Sequence, residues 1–352
     1  NSFCTLLAPE ATPASMPAAS KSDDELRAAL WGTVPIECEL DRSSMKDPPE
    51  RAPVCHFMIP RQGYLFLALD HIRAEFGSVI AQEGALWLSH EGQPIAWQHP
   101  VAAWLDVLAS RKKLDRVEYL MPLRVTVHLA KPPDTVQAFT DSRMARLLVF
   151  ERLKAALMVR YGSTLAMREL RERRRADYDT LYAAVKNNEP AAFTASRRRL
   201  DIIALSLVEH DEAAKDAAGA SSGPNTPPPE GAATSGAASA NRPGGAAATT
   251  GGASSGDAQI PVILHRPGTG KLALRGITAS KRSFGAVLKD LLPVELEDLT
   301  PEQCYSDERL PETQGFALVQ SVAPLLSTPV DALYEAFACV DGFLHISVAF
   351  YD

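Results

Sequence analysis

The feature that most constrains this chain is a stretch that cannot fold on its own. Between Ala217 and Gly256, 36 of 40 residues are Ala, Gly, Ser, Thr or Pro, and none is aromatic or a branched aliphatic. Such a segment buries too little apolar surface to offset its ordering entropy, so it reads as a flexible tether. It divides the 352 residues into a large N-terminal part and a compact part from Gln259 to Asp352. At roughly 150 residues per domain, two or three folded units are expected. Over the whole chain 46% of residues are hydrophobic and 22% charged, which excludes wholesale disorder. A net charge of −7 argues against a general polyanion binder. No apolar run approaches the roughly 18 to 20 residues that span a bilayer.

The C-terminal part reads as strand, strand, helix, strand. Ile260–Leu264 and Leu272–Leu274 flank Pro267-Gly-Thr-Gly270, which is hairpin chemistry. Phe284, Val287, Leu288 and Leu291 fall at helical spacing in Ser283–Leu292, ahead of Pro293, and Phe343–Phe350 alternates with a period of two. A helix across a small mixed sheet is the ubiquitin-like arrangement. The N-terminal part repeats it. Candidate strands are Val34–Leu40, His56–Ile59, Ala85–Leu88 and Pro122–Leu129, and candidate helices are Tyr64–Phe76 and Val101–Leu108.

Residues 141 to 211 read as helical. Leu147, Phe150, Leu153, Leu157, Tyr161 and Leu165 fall on one arc, and Gly162 followed by Ser163 and Thr164 reads as a C-cap and a new N-cap. Further helices are expected over Asp177–Val185 and from Pro190 to Glu209. The fold class is therefore α+β, two ubiquitin-like (β-grasp) domains flanking a helix-rich domain. The expected boundaries are 1–23 disordered, 24–135 first ubiquitin-like domain with a leading helix, 136–211 helix-rich, 212–258 linker and 259–352 second ubiquitin-like domain.

Residues 141 to 200 carry 14 Lys or Arg against 7 Asp or Glu. Within them Arg171, Arg173 and Arg174, with Arg168 and Arg175, form a basic cluster that could meet anionic lipid, an acidic partner or nucleic acid; Glu169 and Glu172 inside it favour a merely solvated face. Enzyme motifs fail on context. Arg266–Lys271 lacks the first Gly and the Ser/Thr of a phosphate loop, and Gly252–Gly256 mimics a nucleophile elbow only within the tether. The eight histidines show no metal-ligand spacing, and Cys55 and His56 point to opposite faces of a strand, so no metal or cofactor is expected. Five scattered cysteines (Cys4, Cys38, Cys55, Cys304, Cys339) fit reduced thiols in the cytosol. Residues 1 to 23 show no secretory signal, and with Asn1 in place of Met the natural start is expected upstream.

One residue stands out. Lys154 lies on the apolar arc of the first middle helix, four residues after Phe150 and four before Met158. Its stem could pack while its amine reaches water. Alternatively, an apolar surround would lower its pKa and free the amine as a nucleophile. With no base foreseen beside it, its electrophile would have to arrive activated, for example as a thioester.

The chain resembles the autophagy protein 5 family, scaffolds that become conjugated to the ubiquitin-like autophagy protein 12. The resemblance rests on Trp31-Gly-Thr-Val-Pro-Ile36, Pro60-Arg-Gln-Gly-Tyr-Leu65, Leu86-Trp87, Glu91-Gly-Gln-Pro-Ile-Ala-Trp97 with Pro100, Val125-Thr-Val-His128, Pro324–Pro329 and Phe343-Leu-His-Ile-Ser347, taken in order. It implies two ubiquitin-like domains around a helical one and no catalytic site of its own. Leu153-Lys154-Ala-Ala with Gly162 resembles the family's acceptor pattern, which implies Lys154 as the isopeptide acceptor. The resemblance further implies that the conjugate binds the N-terminal helix of autophagy protein 16, with Arg61 helping to hold that helix. The conjugate then works like a ubiquitin ligase with the pathway's conjugating enzymes to lipidate autophagy protein 8 with phosphatidylethanolamine. The expected location is cytoplasmic and peripheral on the phagophore membrane, without a nucleic-acid partner. The competing reading is an unconjugated lipid- or nucleic-acid-binding adaptor acting through the basic helices.

Overall fold

Val34, Ile36, Cys38 and Leu40 alternate with less buried neighbours, and this period of two builds the strand from which the first sheet grows. The computed structural model describes residues 30–80, 84–114, 120–129, 131–134, 136, 141–162, 175–201, 259–266, 271–278, 282–311 and 315–350. The turn at Pro267–Gly270, the Ser163/Thr164 cap, Leu165 and the tether lie outside them.

The first sheet contains β1 (Thr33–Leu40), β2 (Val54–Pro60), β3 (Trp87–His90), β4 (Gln93–Pro94) and β5 (Leu123–His128), in the order β2-β1-β5-β3-β4. β1 runs parallel to β5 at its centre and antiparallel to β2. Helix α1 (Leu69–Phe76), entered through a 3-10 turn at Leu65–Ala68, buries Leu65, Leu69, Ile72 and Phe76 against this sheet, the face read from the sequence. α2 (Val101–Arg111) runs one turn beyond Leu108.

The second sheet repeats the plan. β6 (Gln259–Arg266), β7 (Lys271–Thr278), β8 (Phe316–Leu318) and β9 (Leu344–Ala349) take the order β7-β6-β9-β8, with β6 and β9 parallel at the centre. β6 and β7 pair antiparallel up to Arg266↔Lys271, so strand continues on both sides of residues 267–270, as a hairpin requires. α6 (Phe284–Leu291) is capped by Ser283, whose hydroxyl accepts from Ala286 N at 3.2 Å, and α7 (Val330–Phe337) adds Leu333 and Tyr334 to the core. Two β-grasp domains with a helical region between them are present, as expected.

Among the described residues three helices lie in the middle: α3 (Ser142–Tyr161), α4 (Arg175–Lys186) and α5 (190–201). Asp141 caps α3 by accepting from Met144 N at 2.8 Å, and Gly162 ends it in the left-handed region at φ 67°. Its buried face is not the one the sequence suggested. Ala145, Val149, Leu153, Ala156 and Leu157 are buried, whereas Leu147 is 58% exposed. At 100° per residue the buried arc is rotated by about 100° from the expected one. The physical reason is close approach: small Ala145 and Ala156 seat the helix where bulky side chains would hold it off. Ala156 packs on Ile263 of β6 and Phe343 beside β9, while Leu153 and Leu157 join the first domain's core. α3 is thus wedged between the two ubiquitin-like domains.

One close approach is at Gly342, in the turn before β9. Its φ is 83°, and a Cβ there would lie 2.8 Å from Ala156 Cβ and 3.3 Å from Leu153 Cδ1. Gly162 has φ 67° with nothing within 4 Å of the same position. Gly162→Ala should therefore cost only the backbone penalty, about 1–2 kcal/mol. Gly342→Ala should cost roughly 1–3 kcal/mol more through overpacking, measured by urea unfolding. Equal costs would contradict the wedge geometry.

Candidate functional site

Lys154 sits at the edge of the buried arc of α3 rather than near its middle. Its side chain is 19% exposed, and Nζ lies 2.6 Å from Glu151 Oε2 and 5.2 Å from the centre of the Phe150 ring. The charged partner of Lys154 is therefore Glu151, one helical turn earlier. Met144, Leu147 and Met158 are exposed large apolar side chains on the same helix, and with Glu151 and Lys154 they recur at spacings of three and four. Lys154, its side chain largely covered, thus lies at the border of a helical face that also carries three exposed hydrophobes, with Met158 one turn away and Leu147 and Met144 two or more turns towards the N-terminus.

Arg61 is placed differently from an open docking residue. It is part-buried between the two ubiquitin-like domains, where Nη2 donates to Gln320 O at 3.0 Å and to Ser321 Oγ. Ser321 Oγ in turn donates to Asp106 Oδ1 at 3.0 Å. Beside it Gln62 Nε2 donates to Gln320 Oε1, and Gln320 Nε2 to Phe337 O at 2.6 Å. Burial pushes the Asp106 carboxyl up to about 7, against the pull of Arg61 and the Ser321 hydrogen bonds. The guanidinium is spent on joining the domains. Arg171, Arg173 and Arg174 lie outside the described residues, so this geometry does not include them.

A second polar cluster lies at the same junction. His99, on the loop before α2, meets His265 of β6 and His345 of β9, with one ring nitrogen from each lying within 4.8 Å of the others. His265 Nε2 and His345 Nδ1 are 2.9 Å apart, and His345 Nε2 lies 3.0 Å from Asp341 Oδ2. Arg152 of α3 reaches in, with Nη1 3.2 Å from His99 Nδ1 and 3.7 Å from Asp341 Oδ2. Burial, then the neighbouring rings and Arg152, hold His99 and His265 well below the ordinary imidazole pKa. Burial alone would raise Asp341, but His345 and Arg152 outweigh it and keep the carboxylate ionised. Sequence spacing could not find these histidines, because they come from three distant segments. A local signal did exist for Asp106, a single acid inside the apolar run Val101–Leu108.

Residues 30–129 match the family model "Autophagy protein ATG5, UblA domain" and residues 259–348 match "Autophagy protein ATG5, UblB domain", together more than half of the chain. The chain belongs to the autophagy protein 5 family. Autophagy protein 5 of Pichia angusta is 21% identical over 338 residues, covering 93% of this chain and 97% of that protein. Autophagy protein 5 of Drosophila melanogaster is 25% identical over 184 residues, 51% of this chain and 64% of the fly protein, a little under two thirds of its length. The crystal structure of Kluyveromyces marxianus Atg5 superposes with a TM-score of 0.62 at 14% identity, covering 92% of this chain and 99% of that one. Among the described residues no helix is long and apolar enough to cross a membrane.

The Asp106 environment predicts a pH dependence. An acid whose folded pKa lies near 7, above its ordinary 3.8, holds its proton more tightly when folded. Its stabilising contribution is therefore full below about pH 4 and is lost as the pH rises through about 7. Asp106→Asn keeps the shape and an acceptor for Ser321 but does not titrate. Between about pH 5 and about pH 8 the wild type should lose roughly 2–4 kcal/mol relative to this variant in urea unfolding. Parallel pH profiles would contradict the assignment.

Proposed function

We propose that the chain is a scaffold of autophagosome formation whose Lys154 accepts the C-terminal glycine of autophagy protein 12. The observation that carries this reading is the placement of the Lys154 amine at the edge of a rigid helix. It is held beside Glu151, on the side of the helix that also carries the exposed Met144, Leu147 and Met158. A ubiquitin-like partner arriving as a thioester needs an apolar patch to seat on and one amine within reach of its carbonyl. Exposed apolar groups gathered on one face are the usual mark of such a docking surface.

The chemistry is aminolysis. Lys154 gives up its ammonium proton to solvent, its nitrogen attacks the thioester carbonyl, and the adduct loses a second N–H proton. The conjugating enzyme's thiolate leaves and takes up a proton as the C–S bond breaks and the isopeptide bond forms. Glu151 fixes the ammonium until the partner binds and releases it for attack. In this reading the conjugate binds the N-terminal helix of autophagy protein 16 and promotes transfer of autophagy protein 8 to phosphatidylethanolamine at the phagophore. The chain itself supplies no catalytic group. Arg61 then acts on protein 16 indirectly, by fixing the angle between the ubiquitin-like domains, and Arg171, Arg173 and Arg174 supply peripheral contact with anionic lipid.

In cells containing the conjugation enzymes, tagged wild type should show a slower covalent band that Lys154→Arg lacks, with unchanged melting temperature. Leu147→Asp, which touches only the exposed stripe, should reduce that band several-fold without loss of stability. A band that persists in Lys154→Arg would move the acceptor elsewhere. Full conjugation of Leu147→Asp would remove the stripe from the account.

A further inference from the structure

Buried imidazoles are costly to gather. Each brings two ring nitrogens that must be satisfied, and a cluster of three invites repulsion as soon as one charges. Here three converge, each no more than 7% exposed: His99 from the first ubiquitin-like domain, His265 and His345 from the second. We propose that His99, His265 and His345 form a binding site for a divalent transition-metal ion, zinc foremost, that staples the two ubiquitin-like domains together.

The donor set suits that ion. Neutral imidazole is a preferred ligand of zinc, and three imidazoles leave the fourth tetrahedral position for a water. Zinc–nitrogen bonds of about 2.0–2.1 Å place ligand nitrogens about 3.3–3.4 Å apart in a tetrahedron. The 2.9 Å separation of His265 Nε2 and His345 Nδ1, and the 4.8 Å limit on the whole set, bracket that value. Closing the site takes movements of an ångström or so.

The surroundings supply orientation and charge. Asp341 accepts from His345 Nε2, which leaves the Nδ1 lone pair aimed at His265. This carboxylate–histidine pairing is the usual outer support of a histidine ligand, and the buried carboxylate offsets part of the ion's charge. Proton accounting also closes. On binding, His265 moves its proton from Nε2 to Nδ1, His345 keeps its proton on Nε2, and no net proton need leave. Arg152 is the competitor. While its Nη1 donates to His99 Nδ1, that ring cannot carry its proton there. A metal-bound His99 therefore requires Arg152 to let go, and Asp341 stands 3.7 Å away to receive it.

The test uses the full chain, stripped with EDTA and dialysed against zinc and, separately, cobalt. Wild type should retain one equivalent of metal by elemental analysis, and its cobalt form should show the visible absorption of a tetrahedral site. His99→Gln should weaken binding by more than about tenfold and abolish that absorption. His56→Gln, at an exposed histidine 69% accessible, should change neither. Should His99→Gln fail to fold, the wild type alone decides: zinc must raise its melting temperature over EDTA in a concentration-dependent way. No retained metal, no thermal shift, or retention unchanged in a folded His99→Gln would each overturn the proposal and leave the cluster as a hydrogen-bonded junction.

Discussion

The structure depends on one constraint: helix α3 must sit between two ubiquitin-like domains closely enough to belong to both cores. Leu153 and Leu157 are buried with the first domain, while Ala156 meets Ile263 and Phe343 of the second. The positive φ of Gly342 and the small side chain of Ala156 permit that approach. Around the apolar wedge the contact is polar and buried, through Arg61, Ser321 and Asp106 on one side and Arg152, His99 and Asp341 on another. Ser110 Oγ and Ser347 Oγ, 2.9 Å apart, add a direct bond from α2 to β9. Buried polar groups of this kind add little net stability but are costly to misalign, so they favour one relative placement of the domains.

A fixed placement explains why an acceptor lysine would belong on this helix. Lys154 is one residue from Leu153 and two from Ala156, so the packing that holds the wedge also holds the base of its side chain. The same rotation of α3 that buries its alanines turns Met144, Leu147 and Met158 outward on the side of the helix that carries Lys154. Structural and proposed functional faces are therefore two sides of one helix. The interaction of Lys154 with Glu151 and Phe150 is local to α3, so it does not depend on either domain moving.

Much of this was legible in the sequence, for identifiable reasons. Period-two runs such as Thr33–Leu40 and helical spacings such as Leu65, Leu69, Ile72 and Phe76 depend on local burial, which residue type reports. The C-terminal end of α3 was legible because Gly162 can take a positive φ at little cost. The face of α3 was not. Hydrophobic weight favours Leu147 over Ala145, but tight helix packing selects the smaller side chain, and only the three-dimensional partner decides between them. The histidine cluster and the Arg61–Ser321–Asp106 chain were equally hidden, since their members lie far apart in sequence and ordinary motif spacing does not connect them.

The central claim is that the wedge and its buried polar contacts make the two ubiquitin-like domains one cooperative body. Native-state hydrogen exchange on the full chain tests it most directly, following amides of β1 and β5 and of β6 and β9 through a denaturant series. The account predicts that both central strand pairs open with the same free energy and the same denaturant dependence. Opening of β6 and β9 at markedly lower free energy, while β1 and β5 stay protected, would contradict it.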